Sequence, residues 1–252
     1  MIFGLYVSNK IGSEAVGTFS LVMSVYIFVV TIATSGLSLA CTCIVSEQFA
    51  KKNYFDGLKA VKSTIVFALL LGFSTSILVL IFSNIISKIW LKSVISSIPL
   101  YLISIGLPFI SVSSVLNGYF SAVRKGYKSA LSQVFELIIK IIITVVLLKF
   151  YIGPNIESII ICLILADVLS EIFSCLFLFI LYKKDSIKYS KIAITNITFK
   201  RKIFKIAFPV SITSYIRSGL STLKQFIIPS RLMLLGFTYA MALSEYGEKL
   251  MV

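Results

Sequence analysis

The chain has 252 residues, 58% of them hydrophobic and 13% charged, and a net charge of +14 from 24 basic against 10 acidic side chains, with no histidine. A soluble domain carries roughly 25% charged residues and has no core able to hide this much apolar surface, so the bilayer takes up the rest. The basic excess sits in short segments between apolar runs, not over a polar surface, which points to anionic lipid or an anionic lipid-linked substrate and away from nucleic acid.

In chain order, Met1–Val7 is apolar but too short to cross a hydrocarbon layer of about 30 Å at 1.5 Å per residue. It reads either as an interfacial stub or as the tail of a helix whose start is missing. No basic region precedes it, so it is not a signal peptide. Spans of about 20 mostly apolar residues are then predicted over Thr18–Ile44, Ser63–Ile86, Ile98–Val123, Leu131–Phe150 and Ile156–Tyr182. One more, Ile206–Leu235, follows the only long polar break. The expectation is an all-α, multi-pass membrane protein with about six full spans and a shortened one at its start. Gly36 within Thr34-Ser35-Gly36, Gly106 with Pro108, and Pro209 mark expected kinks.

Loop charge sets the orientation. Lys51, Lys52, Lys59 and Lys62, then Arg124, Lys125 and Lys128, then Lys183, Lys184, Lys188, Lys191, Lys200, Arg201, Lys202 and Lys205 place fifteen basic residues in alternate loops. The intervening loops hold only Lys10, Lys88, Lys92 and Lys149. Segments 47–62, 124–128 and 183–205 are therefore expected in the cytoplasm, with the protein in the cell membrane. The alternation counts the Met1–Val7 segment as a crossing, which favours the truncated helix over the stub. The expected organisation is a transmembrane lobe over 1–182, a basic linker over 183–205, and the start of a second lobe over 206–252. Six crossings return the chain to the same side, which permits a second lobe repeating the first.

Ionisable groups at bilayer depth cost about 2.5–3.5 kcal/mol each, so they face protein or a water-filled cavity. Ser129, Gln133, Glu136 and Lys140 share one helical face; Asp167, Ser170, Glu171 and Ser174 share another; Ser214, Arg217, Ser221 and Lys224 form a third stripe, at steps of three and four. The candidate cavity residues are Glu136, Lys140, Asp167, Glu171, Ser214, Arg217, Ser221 and Lys224. Glu136 and Lys140, four residues apart, read equally as a self-neutralising pair. The acidic Asp167 and Glu171 read as ion-pair partners of the Arg217 stripe or as contacts to a charged substrate. A retinal-type lysine lacks the carboxylate counter-ion that its chemistry needs. Cys41, Cys43, Cys162 and Cys175 lie in apolar runs without metal-ligand spacing and read as small packers. No metal site, cofactor or catalytic residue is expected.

The stretches Ser113-Ser114-Val115-Leu116-Asn117-Gly118-Tyr119-Phe120, Ser132-Gln133 with Glu136, Ile11-Gly12-Ser13-Glu14-Ala15-Val16-Gly17 and Val45-Ser46-Glu47 resemble the sporulation members of the polysaccharide-transporter branch of the multidrug/oligosaccharidyl-lipid/polysaccharide (MOP) exporter superfamily. The resemblance runs over essentially the whole chain. It implies a two-lobe flippase fold of six helices per lobe around a central cavity. It also implies a non-enzymatic activity, translocation of a lipid-linked sugar of the undecaprenyl-pyrophosphate type by alternating access. In the sporulation branch it points to the peptidoglycan precursor. Two other readings stand beside it. One is a cation-coupled multidrug exporter, which wants an acidic cation site in the first helix. The other is a non-transporting scaffold that docks partners or anionic lipid. Against the family pattern, most of the first helix and its basic residues are missing, and the sequence stops at Tyr246-Gly247-Glu248, where an eighth helix is due. The expectation is a fragment whose missing second lobe is needed for transport.

Overall fold

The computed structural model describes residues 13–89, 96–150, 156–189 and 199–234. Among these, each apolar run folds as a helix and no strand forms. In hydrocarbon the helix is the element that satisfies every backbone N–H and C=O within one segment. The helices are α1 Ser13–Thr34, α2 Leu37–Ala50, α3 Tyr54–Ile89, α4 Ile98–Ala122, α5 Gly126–Phe150, α6 Ile156–Ser186 and α7 Lys200–Leu234; a 3-10 turn, Ile187–Tyr189, follows α6. Among the described residues, five spans are long and apolar enough to cross a membrane: α1 with α2, then α3, α4, α5 and α6. The predicted Ile206–Leu235 span appears as α7, whose 35 residues give the length. Its Arg217, Lys224 and hydroxyl side chains keep it below the apolarity of the other five. The Met1–Val7 segment and the end of the chain lie outside the described residues.

The predicted Thr18–Ile44 run is broken where expected. Gly36 has φ +76, a left-handed conformation open to glycine and costly for a residue with a Cβ, and it separates α1 from α2. The segment 47–62, read as a loop, is instead mostly helix. Only Lys51, Lys52 and Asn53 interrupt it, and Lys59 and Lys62 sit in the first turns of α3. The α2–α3 and α4–α5 turns are built alike. Lys52 and Arg124 take φ 60 and 57. The next N–H in each reaches back five residues, Asn53 to the Gln48 carbonyl at 2.9 Å and Lys125 to the Phe120 carbonyl at 2.8 Å. This satisfies carbonyls that the helix end leaves free.

Helix α4 runs through the middle and packs against α1, α2, α3, α5 and α6. Leu21, Val25, Ile103, Leu107, Ile160 and Ile164 close one core region among α1, α4 and α6. Cys41, Val61, Val115, Phe120 and Leu178 close another among α2, α3, α4 and α6. At the α2–α4 crossing, a Cβ on Gly118 would stand 2.4 Å from the Ser38 carbonyl oxygen, so the backbones touch because this residue has no side chain. Facing outward, Val66, Leu70, Phe73, Ile77, Ile81 and Ile85 of α3 expose a continuous apolar stripe. On α5, Val134, Leu137, Ile138 and Ile141 do the same. Stripes of this size in a single chain suit lipid contact.

Candidate functional site

Helix α5 carries Gln133, Glu136 and Lys140 at steps of three and four, and α6 packs along it. The two helices are joined by an ion pair and by a hydroxyl pair. Lys140 Nζ lies 2.5 Å from Asp167 Oδ1, and the Ser132 and Ser174 Oγ atoms are 2.9 Å apart. Lys140 thus bridges to the neighbouring helix and does not close on Glu136 within its own, which corrects the self-neutralising reading of that pair. The physical reason is desolvation. Asp167 is almost fully buried, so it has no water to hold its charge, whereas Glu136 borders a hollow.

Glu171, one turn beyond Asp167, accepts a hydrogen bond from the Tyr26 hydroxyl of α1. Sequence reading did not single out Tyr26. Its ring lies among the α1 core residues, and only its oxygen reaches the acid. Asn117 Oδ1 of α4 accepts from the Ser129 hydroxyl of α5 at 2.5 Å. These contacts frame a hollow of about 370 Å³. Thr34 and Ser38 line it from either side of the α1–α2 break, Ser113, Ser114 and Asn117 from α4, Gln133 and Glu136 from α5, and Glu171 from α6, with Val30 and Ile110 as apolar wall. Its polar lining is two carboxylates, two amides and four hydroxyls, and no ammonium or guanidinium is among them.

The third predicted stripe lies elsewhere. Arg217, Ser221 and Lys224 are on the exposed side of α7, and Ser214 is half-buried with its hydroxyl donating to the Val210 carbonyl of its own helix. No residue of α7 lines the polar hollow. Arg217 forms no ion pair with a described residue, so the expected bond to Asp167 or Glu171 is not made; those two acids are held by Lys140 and Tyr26. What fastens α7 to α1 and α2 is a different face. Ser211 donates to the Ser35 carbonyl at 2.9 Å, Tyr215 to the Ile32 carbonyl at 3.2 Å and Thr222 to the Ser24 carbonyl at 3.3 Å. Between α1 and α7 lies a second, apolar hollow of about 450 Å³, with Phe28, Ile32, Ile216, Leu220 and Leu223 in its wall.

The hollow offers hydrogen-bonding and acidic groups inside an apolar bundle. Three comparisons bear on this. The family described as polysaccharide biosynthesis protein matches residues 1–234. Stage V sporulation protein B of Bacillus subtilis is 25% identical over 247 residues, covering 96% of this chain and 48% of that protein. The chain therefore spans about half the length of the curated relative it matches. Among solved structures, an inward-facing multidrug resistance MATE family transporter of the MOP superfamily superposes with a TM-score of 0.68 at 14% identity, over 97% of this chain and 55% of that one.

Proposed function

The chain belongs to the polysaccharide biosynthesis protein family, and from that membership we propose that it forms the first lobe of a flippase for a lipid-linked sugar, a transporter and not an enzyme. The observation that carries the reading is the polar hollow inside an otherwise apolar helical bundle, in a chain whose family match spans the seven described helices. We read residues 1–182 as this lobe, 183–205 as a cytoplasmic linker and 206–252 as the start of a second lobe. Alternating access needs that second lobe to rock against the first. The substrate class is an undecaprenyl-pyrophosphate-linked sugar, and the likeness to the sporulation protein favours a peptidoglycan precursor for the spore envelope. Arg217 and Lys224 are exposed on α7, and an arginine suits bidentate contact to pyrophosphate oxygens.

The test is translocation of fluorescent lipid II in vesicles by this chain joined to a second lobe. Movement that falls at least tenfold in Arg217→Gln, with the protein still inserted and folded, supports the reading. Efflux of organic cations without lipid movement replaces it with the exporter reading, which the two carboxylates of the hollow favour.

A further inference from the structure

We infer that the polar hollow is the subsite for the glycan end of the lipid-linked substrate, taking hydroxyl- and amine-bearing sugar and not the pyrophosphate. This rests on the lipid-linked-sugar reading and adds which part of the molecule binds here. Asn117 and Gln133 each bring an amide with two N–H donors and a carbonyl acceptor, and Glu136 and Glu171 bring acceptors for O–H and ammonium donors. Mixed donors and acceptors of this sort match neighbouring hydroxyls on a sugar ring. The balance of charge excludes the other end of the substrate. The nearby ammonium, Lys140, is committed to Asp167. Glu171 has one oxygen in the bond from Tyr26 and its second, Oε2, buried without a hydrogen-bond partner in the protein. A pyrophosphate entering here meets the Glu136 carboxylate and no lining cation to compensate it, which is repulsive in a low-dielectric site. A sugar amine meets the opposite field, and a neutral sugar meets neither.

Position and size agree with this. Glu136 is ten residues beyond Gly126, so about 15 Å along a 25-residue helix at 1.5 Å per residue, near the bilayer midplane. Transporters commonly hold substrate at that depth. A volume of about 370 Å³ lies in the range of small-molecule sites and takes a headgroup fragment, not a whole amphiphile. The exposed cationic stripe of α7 remains for the phosphates, so sugar and pyrophosphate are recognised on different elements.

The experiment is ligand protection of an introduced thiol. The chain is placed in lipid nanodiscs with the exposed Cys43 changed to Ser and with Ser114→Cys in the wall of the hollow, and its labelling by a water-soluble maleimide is timed. The probes are glucosamine, N-acetylglucosamine, inorganic pyrophosphate and the organic cation ethidium. With glucosamine at about four times its Kd, labelling should slow about fivefold by simple occupancy. N-acetylglucosamine should protect at higher concentration, and pyrophosphate should not protect. In Glu136→Gln with Glu171→Gln, checked for unchanged helicity by circular dichroism, glucosamine should lose its advantage over the acetylated sugar. Protection by pyrophosphate, or an amine preference that survives the double substitution, overturns the inference. Absence of sugar protection in a chain that, joined to a second lobe, still moves lipid II overturns the inference alone. Protection by ethidium only, with no lipid movement, removes the lipid-linked-sugar reading as well.

Discussion

At bilayer depth an ammonium is held by the carboxylate that has lost most water, and for Lys140 that is Asp167. The Asp167 side chain is 7% exposed and Lys140 28%, with their charged atoms 2.5 Å apart. Removing one partner leaves a buried charge without compensation, which costs about 3–5 kcal/mol. Lys140→Met and Asp167→Asn should therefore differ. The first strands a carboxylate and should cost nearly that range in detergent unfolding. The second leaves a half-buried ammonium that can reach the hollow and should cost less. The double change Lys140→Met with Asp167→Leu should recover most of the loss; a double variant as unstable as Lys140→Met alone would show that the pair is incidental. A glycine sets the other constraint at this scale. At Gly36, a Cβ would stand 2.5 Å from the Ala207 carbonyl oxygen at φ +76. Gly36→Ala should cost about 1–3 kcal/mol in melting experiments and loosen α7. Gly126→Ala, with no atom within 4 Å of its Cβ, is the control and should be neutral or slightly stabilising.

Elements differ in how far the sequence announces them. A hydropathy run reports the membrane and not the helix, so Ser63–Ile86 was legible while the start of α3 at Tyr54 was not. Asp56, Lys59 and Lys62 are helical yet polar. Glu136 and Glu171 stand out as acids in apolar runs, and both line the hollow. Thr34, Ser38, Ser113 and Asn117 line it too without such a signal, because membrane hydroxyls bond readily to their own helix, as Thr34 does to the Val30 carbonyl at 2.8 Å. Lys140 and Arg217 carry like charge at similar sequence contrast, yet only the first has a carboxylate opposite it, and periodicity within one helix says nothing of the helix across.

The ends of elements are joined by contacts of unequal strength. Asp185, 2% exposed at the end of α6, accepts from the Tyr119 hydroxyl at 3.0 Å, from Lys125 at 2.6 Å and from Lys128 at 3.1 Å. It staples α6 to the α4–α5 turn. Asp185→Asn should cost on the order of 2–3 kcal/mol. Burial alone would lower the Lys125 ammonium, but the hydrogen bond and charge of Asp185 outweigh it and raise its pKa above the ordinary 10.5. The stability from that bond is then complete below pH 10.5 and is lost as pH rises through the raised value. Glu47, solvent-exposed between Lys51 and Lys202, makes the weaker kind of bridge, and Glu47→Gln should leave the melting temperature unchanged within error.

At the scale of the whole molecule, the folded chain gathers its basic segments at one end of the bundle. Phe49 of α2, Tyr54 of α3 and Tyr189 after α6 cluster with ring centroids 5.1–5.3 Å apart. Lys125, from the α4–α5 turn, lies over Tyr189 at 5.5 Å, and Lys202 at the start of α7 bonds Glu47 of α2. Lys51, Lys52, Arg124, Lys125, Lys128, Lys183, Lys184 and Lys188 therefore share one face, while the described residues of the other end bring only Lys88, Lys149 and Arg231. Cationic segments near helix ends are retained on the cytoplasmic side, where anionic lipid also attracts them. The orientation that follows is open to direct test. In a Cys43→Ser background, Asn53→Cys, Gly126→Cys and Lys188→Cys place single exposed thiols on this face, at positions without an ion pair among the described residues. In intact cells they should resist a membrane-impermeant maleimide and react once the membrane is opened. Lys149→Cys at the other end, exposed in the last turn of α5, should react before opening. Reaction from outside at any of the first three would invert the orientation.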